Sequence, residues 1–447
     1  MKFGGTSVGS PAAMRRVIDI VKKSLAERPV VVVSAMTKVT DLLYRICDSA
    51  EKMDEAATKA LLEELRAKHC DTAAELLGSD SEALSKCQAG ISAICDRLAR
   101  LVNAVCAIGE LSDRSKAQIV SCGETLSSTI MAFAMNANGI KTNWIDAKSM
   151  IITDGSLLCG EPRKTDVCIR VPQIISAAYV GYDAVITQGF VASSAEGYTS
   201  VLGRGGSDYS ASLIGKAVGA KRIEIWTDVD GVRTADPRRV PGSKCVKEIS
   251  FEEAAEMAHF GAKVLHPLTI EPAIESGIPL YVLNSMNPEG EGTAILRDDC
   301  VAPGIKTISC KENILVINIF SPKMINTTGF VEKVFKVFSR NTVSVDLIST
   351  SEANISVTVE PNERVAQVVA ELREFADVQV DSDKSQVSVV GKDLVGQNGE
   401  LKDMFAPLAG YRLSMISQGA SHINVSFVVE RSELNDVIVG MHNYLFS

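Results

Sequence analysis

The sequence predicts a two-part α/β protein: a mainly parallel sheet flanked by helices, then a smaller region built from a repeated α/β module. Three observations carry this reading. Short apolar, β-branched runs at Pro29 to Met36, Ala184 to Phe190 and Ile223 to Val229 are bounded by turn residues, the pattern of strands buried on both faces. About Asp41 to Ala107 is rich in Ala, Leu, Glu and Lys and reads as successive helices. Towards the C-terminus, shorter strand and helix patterns recur twice in similar order.

Strand–helix alternation in the first part implies parallel strands covered by helices. The texture changes near Asn287, where Asn287, Pro288, Gly290 and Gly292 form a turn-rich stretch, followed by Pro303 and Gly304. A boundary here gives a first domain over 1–295 and a second region over 305–447. In the second region, strand Ile314 to Phe320, helix Gly329 to Arg340, strands Val343 to Ile348 and Ala353 to Val359, and a helix around Arg364 to Phe375 form one round. Strand Gln386 to Val390, helix Asn398 to Leu408, strands Arg412 to Ser417 and Ile423 to Val429, and helix Glu433 to Tyr444 form another. Two modules are expected, at about 310–384 and 385–447, with strands free to exchange between them.

Composition narrows the function classes. The 447 residues are 46% hydrophobic and 23% charged, ordinary for a globular protein with sizeable cores. The net charge of -9 disfavours nucleic acid as a partner, because phosphate backbones need clustered Lys and Arg. The 11 Cys contain no CxxC pair and His numbers only 5, which disfavours a zinc site or disulfide framework. Free thiols fit a reducing compartment, so a cytoplasmic location is expected. No signal peptide is visible and no apolar run approaches a membrane span, so no membrane role is expected.

Four segments concentrate residues that handle phosphate and carboxylate. In Lys2-Phe3-Gly4-Gly5-Thr6-Ser7, glycines let backbone N–H groups approach an anion, a helix follows from Pro11, and a Lys can follow charge between donor and acceptor oxygens. Alone, this segment is as well explained by a plain Gly turn between strand and helix. Gly203-Arg204-Gly205-Gly206-Ser207-Asp208 joins Gly backbone, an Arg suited to bidentate carboxylate binding, and an acid that also fits a helix cap. Trp226-Thr227-Asp228-Val229-Asp230-Gly231, with Arg233, Asp236, Pro237 and Arg238, leaves the C-terminal end of a buried strand, where ligands bind in open α/β sheets. An Asp-Gly turn with solvated charges explains it equally. In Phe260-Gly261-Ala262-Lys263-Val264-Leu265-His266-Pro267, Lys263 suits a nucleotide phosphate, although a lone Lys is more often solvated, and His266 before Pro267 reads as structural. No P-loop sequence and no protein-kinase H-R-D or D-F-G set is present, so any phosphoryl transfer must use another fold.

In order, these segments resemble the aspartokinase family, and the likeness spans almost the whole chain. Its carriers are KFGGTSVG at 2–9, VVVSAMTKVTDLL at 31–43, SCGETLS at 121–127, ITQGF at 186–190, LGRGGSDYSA at 202–211, WTDVDGVRTADPR at 226–238 and FGAKVLHP at 260–267. The resemblance implies an amino-acid-kinase fold followed by two ferredoxin-like ACT modules. It implies transfer of the ATP γ-phosphate to the β-carboxylate of L-aspartate, with Mg²⁺ carried mainly by ATP and no metal site of direct motif. Lys2 and Asp208 take the catalytic positions. Thr40, Glu124, Arg204, Gly205, Gly206 and Ser207 form the aspartate pocket, with Arg204 on the α-carboxylate and Glu124 facing the amino group. Lys2, Phe3, Gly4, Gly5, Thr227, Asp228, Arg233, Arg238, Lys263 and Val264 match nucleotide-binding positions. Arg233 departs from the Tyr of better-known lysine-sensitive members. A carboxylate acceptor is already ionised at neutral pH, so scarce His is no objection.

The C-terminal part resembles the lysine-sensitive branch. Met324, Thr327, Phe330, Val331, Ser344, Val345, Asp346, Ser351 and Glu352 match its effector site, while Asn326 and Thr327 depart from the expected His and Ser. Asp346 and Glu352 suit an ammonium group, and loop N–H groups at the helix start suit a carboxylate. ACT modules of this family pair between chains, which implies a homodimer or a dimer of dimers, with L-lysine as effector. Two other readings compete: an amino-acid kinase with another acceptor, and a non-catalytic amino-acid sensor. Only Met1 precedes Lys2, so the first strand is expected either to be truncated or to start upstream, with Lys2 weakly anchored.

Overall fold

The computed structural model describes residues 1–78, 80–259, 267–325, 328–394 and 400–446. The chain packs as two units, Met1–Val232 with Val264–Arg297, and Arg233–Lys263 with Asp298–Ser447.

In the first unit, strands run in the order Thr142–Ile145, Ala184–Gln188, Val30–Val33, Lys2–Phe3, Ile223–Thr227, Leu280–Asn284 and Thr293–Leu296. Neighbours are parallel except the last pair. The strand Lys2–Phe3 has two residues, yet it is held from both sides: Lys2 pairs with Val32 and Ile225, Phe3 with Val33 and Trp226. Phe3 is fully buried and stacks on Trp226 at 5.9 Å between ring centroids. Lys2 is therefore firmly anchored despite the short strand. The run from Ala184 ends as a strand at Gln188, because Phe190 adopts φ +66° and the chain reverses into Val191–Ser194.

The expected helical stretch is three helices, Val39–Glu51, Glu55–Leu77 and Ser81–Ile108. Its breaks are local chemistry: the Asp54 and Asp80 carboxylates accept from the N–H groups of Ala57 and Ala83, and left-handed Gly109 ends the last helix. These helices bury Ile46, Leu65, Leu77, Ile91 and Leu98 against the sheet's own apolar residues in one core.

That core also holds a titratable group. His69 on the helix Glu55–Leu77 is fully buried, with Nδ1 2.7 Å from the Leu65 carbonyl. A carbonyl only accepts, so Nδ1 carries the proton of a neutral ring. Burial lowers its pKa from 6.5 to about 4. Because the folded value is depressed, the unfolded chain binds the extra proton first, and stability is lost as pH falls from 6.5 towards 4, by about 3 kcal/mol. The difference in stability between wild type and His69→Leu, followed by thermal unfolding against pH, should change by this amount over that range. An unchanged acid profile in the variant would contradict the assignment.

In the second unit, six strands form an antiparallel sheet ordered Ile348–Thr350, Asn354–Val359, Gly304–Phe320, Asp377–Lys392, Asn424–Glu430 and Met415–Ser417. The strands expected at Ile314 and Gln386 are parts of much longer ones, paired from Gly304↔Lys392 to Phe320↔Asp377. Both modules thus share one sheet through two long central strands. Helices Phe330–Arg340 and Val365–Arg373 cover one half of its core, and Leu434–Leu445 the other.

One expected strand differs from the structure here, and residues 233–263 group by contact with the second unit. Val343 to Leu347 is not a strand, and only Ile348–Thr350 pairs. The Thr358 side chain interrupts the ladder: its Oγ1 accepts from the Leu347 N–H at 2.9 Å while its carbonyl accepts from Asp346 at 2.9 Å. Ala235 and Val240 are buried with Ile308, Val387 and Phe427, and the Ile308 N–H donates to the Thr234 carbonyl at 2.8 Å.

Candidate active site

Four parallel strands of the first unit, Lys2–Phe3, Val30–Val33, Ala184–Gln188 and Ile223–Thr227, end on one side of the sheet. In open α/β sheets that edge is where ligands bind. Each strand runs directly into a segment singled out in the sequence. The Gly4 N–H donates to the Trp226 carbonyl at 3.0 Å, and Thr37 Oγ1 donates to the Gly5 carbonyl at 2.9 Å. Ser7 and Ser285 share a hydrogen bond of 2.7 Å, and Ser285 Oγ donates to the Thr227 carbonyl at 3.0 Å. The Gly-rich loop is thereby tied to the ends of both neighbouring strands.

The helix Gly206–Ala217 starts at Gly205, whose φ of +71° favours glycine. Its first turn packs so closely on the strand end at Gly189 that a Cβ there would lie 2.6 Å from Ser207 Cβ. Asp208, in that first turn, meets Lys2 Nζ at 2.5 Å, with side chains only 10% (Lys2) and 18% (Asp208) exposed. The helix N-terminus favours the carboxylate, and the carboxylate holds the ammonium at the strand end. Arg204 stands exposed in the adjoining loop. Ser207 is half-buried.

Glu124 lies in the first turn of the helix Cys122–Ala137 and is 4% exposed. That helix is pinned to the end of Val30–Val33 by Ser127 Oγ, which donates to the Ser34 carbonyl at 2.7 Å. Burial raises the Glu124 pKa from 4.5 to about 8, against the opposing pull of the Ala35 and Glu124 backbone N–H groups. Its Oε2 has no partner among the described residues. A buried acid with one bare oxygen is prepared for an ammonium group. Thr40, half-buried, is the second residue of the neighbouring helix Val39–Glu51. Cys122 is buried, its thiol pushed up to about 12 by that burial, and carries no chemistry.

On the nucleotide side, Thr227 ends its strand and donates to exposed Asp228 at 3.2 Å. Arg233 and Arg238 belong to the second unit. Arg233 donates through Nε to Ser243 Oγ at 2.9 Å, and exposed Arg238 forks onto Asp236 at 2.6 to 3.1 Å. Both guanidinium groups have intrachain partners that a phosphate would have to displace or share. Lys263, Val264 and Thr327 lie outside the described residues.

Of the expected effector residues, Phe330 is buried, and Met324 and Val345 pack against the same core cluster. Val331 and Ser344 are exposed. Ser351 and Glu352 are exposed at the turn between Ile348–Thr350 and Asn354–Val359. The Asp346 side chain is only 6% exposed and is already paired with Lys311.

Two contributors, Ser285 and Lys68, were not singled out in the sequence, and the role of Ser7 within its segment was not read. Ser7 and Ser285 lock the Gly-rich loop. Lys68 donates to the Thr37 carbonyl at 2.6 Å and so braces the loop that touches Gly5. Thr37 was visible inside the VVVSAMTKVTDLL match, but Lys68 had no signal, since a helical Lys is usually solvated.

No helix of the described residues is long and apolar enough to cross a membrane. The amino acid kinase family matches residues 1–284, and the ACT domain matches 317–374 and 387–444. Lysine-sensitive aspartokinase 3 of Escherichia coli (strain K12) is 32% identical over all of this chain and 98% of that protein. The chloroplastic aspartokinase 3 of Arabidopsis thaliana is 34% identical over all of this chain and 81% of that protein. The crystal structure of E. coli aspartokinase III in complex with aspartate and ADP (R-state) superimposes with a TM-score of 0.84 at 31% identity, covering 100% of this chain and 99% of that one. A Gly-rich loop, a buried Lys–Asp pair and a buried acid lie at one sheet edge of the first unit, the second unit holds a shared ACT-type sheet, and with these matches the chain belongs to the amino acid kinase family and, within it, to the aspartokinases.

Proposed function

We propose that the protein transfers the γ-phosphate of ATP to the side-chain carboxylate of L-aspartate, giving 4-phospho-L-aspartate, and that L-lysine inhibits it. The convergence of Lys2, Asp208 and Glu124 at one sheet edge carries the proposal. Arg204 binds the α-carboxylate, Glu124 the amino group, and the backbone around Gly205 and Ser207 closes the pocket, leaving the β-carboxylate towards Lys2. The Gly4–Gly5 loop and Thr227 with Asp228 hold the nucleotide. Lys2 then neutralises charge on the oxygens of the transferring group while Asp208 fixes its position, so positioning and electrostatics supply the rate.

Among the described residues no group of three or more His, Cys, Asp or Glu could hold a metal. Mg²⁺ carried on phosphate oxygens keeps waters and needs few protein carboxylates, and Asp208 and Asp228 would be the residues to hold it here. When bound, Mg²⁺ neutralises phosphate charge. The effector reading draws on the ACT match and on the name of the E. coli relative. Subunit pairing through the ACT modules and a cytoplasmic location belong to the same reading.

The test is turnover with ATP and aspartate, trapping the acyl phosphate with hydroxylamine, against a screen of other acidic acceptors and with lysine, threonine and methionine titrated in. Activity only on another acid would replace the substrate, and ATP binding without turnover would point to a sensor. Arg204→Ala should raise the aspartate KM by roughly 10- to 100-fold, the loss of about 1.5–3 kcal/mol from a charged hydrogen bond. A KM within twofold of wild type would remove Arg204 from the pocket.

A further inference from the structure

Within the second unit, Asp346 is held by the chain's own side chains. Lys311 Nζ lies 3.0 Å from Asp346 Oδ1, and His259 Nε2 lies 3.6 Å from the same oxygen. Asp346 Oδ2 is buried with no hydrogen-bond partner among the described residues. Lys311 is 14% exposed and sits where the long strand Gly304–Phe320 slips register against its neighbour, between Lys311 and Ile314. Such a bulge re-aims side chains, and here it sets the ammonium over Asp346. Lys311 also has a second acid, Glu360 Oε1 at 3.3 Å, whose side chain is 69% exposed.

We infer that Lys311 is an internal cation that holds Asp346 in the effector-free chain and is handed over to Glu360 when a cationic effector takes its place. The inference rests on the effector reading of Asp346. The bare Oδ2 offers an incoming ammonium a first contact. Two ammonium groups on one nearly buried carboxylate repel each other and compete for the same oxygens, so one shifts away. Lys311 can do so at little cost, because Glu360 is already within ion-pair distance. The strength of the Lys311–Asp346 pair then sets the effector concentration needed.

Calorimetry of the full chain with L-lysine tests this. Lys311→Met should tighten lysine binding by about tenfold, since the internal competitor is gone. Glu360→Gln, at an exposed position that tolerates change, should weaken binding by about threefold, because Lys311 loses its alternative partner. Combined with Lys311→Met, Glu360→Gln should have little further effect, which a purely local charge effect at Glu360 would not produce. Wild type without measurable binding but Lys311→Met with it supports the inference in its extreme form. Binding by Lys311→Met no tighter than wild type overturns it. If Lys311→Met does not fold, an unchanged affinity in Glu360→Gln overturns it. Lysine binding by neither wild type nor Lys311→Met overturns the effector reading itself.

Discussion

Lys2→Met is expected to lower kcat by about a hundred- to a thousandfold, the range for removing one preorganised group aimed at developing charge. The same change leaves Asp208 unpaired in a site where it is 18% exposed, so stability should fall by about 3–5 kcal/mol. The two effects separate in the double variant Lys2→Met with Asp208→Asn. Removing the stranded charge should recover much of the stability and none of the turnover. Single-turnover rates well below the melting temperature, beside thermal unfolding, make the comparison. A Lys2→Met enzyme that keeps kcat within fivefold would move the transfer step away from this pair.

Glu124 carries the second large effect, and it reads out in protons. In the empty site its pKa is about 8, so near pH 7 the carboxyl is mostly protonated. An aspartate ammonium beside it favours the ionised form, so binding should release up to about one proton per substrate near pH 7. Calorimetry in buffers of different ionisation enthalpy measures that number directly. Glu124→Gln should abolish the release and raise the aspartate KM by roughly 10- to 100-fold. The ligand-free protein should show the matching stability term. Its folded value lies above the unfolded 4.5, so the contribution is present below pH 4.5 and lost as pH rises to about 8, by about 5 kcal/mol. Glu124→Gln should flatten that alkaline slope. Substrate binding with no buffer dependence at pH 7 would sink the assignment.

Glu124 and His69 act in opposite directions on stability: one is kept protonated by burial, the other deprotonated. In the ligand-free enzyme the two slopes oppose each other and nearly cancel between pH 4.5 and 6.5, so the net loss from this pair should fall mainly between pH 6.5 and 8, where only Glu124 acts. With Glu124 facing the aspartate ammonium as proposed, bound aspartate should relieve the alkaline loss and leave the His69 term unchanged, because His69 is buried among the helices.

By itself the sequence determined what local chemistry can write. Contiguous β-branched runs such as Val30–Val33 have few conformations other than a buried strand. Asp54, Asp80 and Gly109 set helix boundaries through caps that need only neighbouring residues. The ordered motifs, from KFGGTSVG to FGAKVLHP, carried the family resemblance, and the Lys2–Asp208 pair they single out meets in the folded chain. Tertiary structure decided what depends on residues far apart. A two-residue strand has no periodicity to read, and Lys2–Phe3 exists only because Val32, Val33, Ile225 and Trp226 flank it. The pull on Glu124 comes from desolvation, a property of the folded surroundings. The long strands Gly304–Phe320 and Asp377–Lys392 merged two modules into one sheet, because each offers the other a full-length partner. That Lys311 rather than solvent faces Asp346 follows from a register slip, which no composition or spacing encodes.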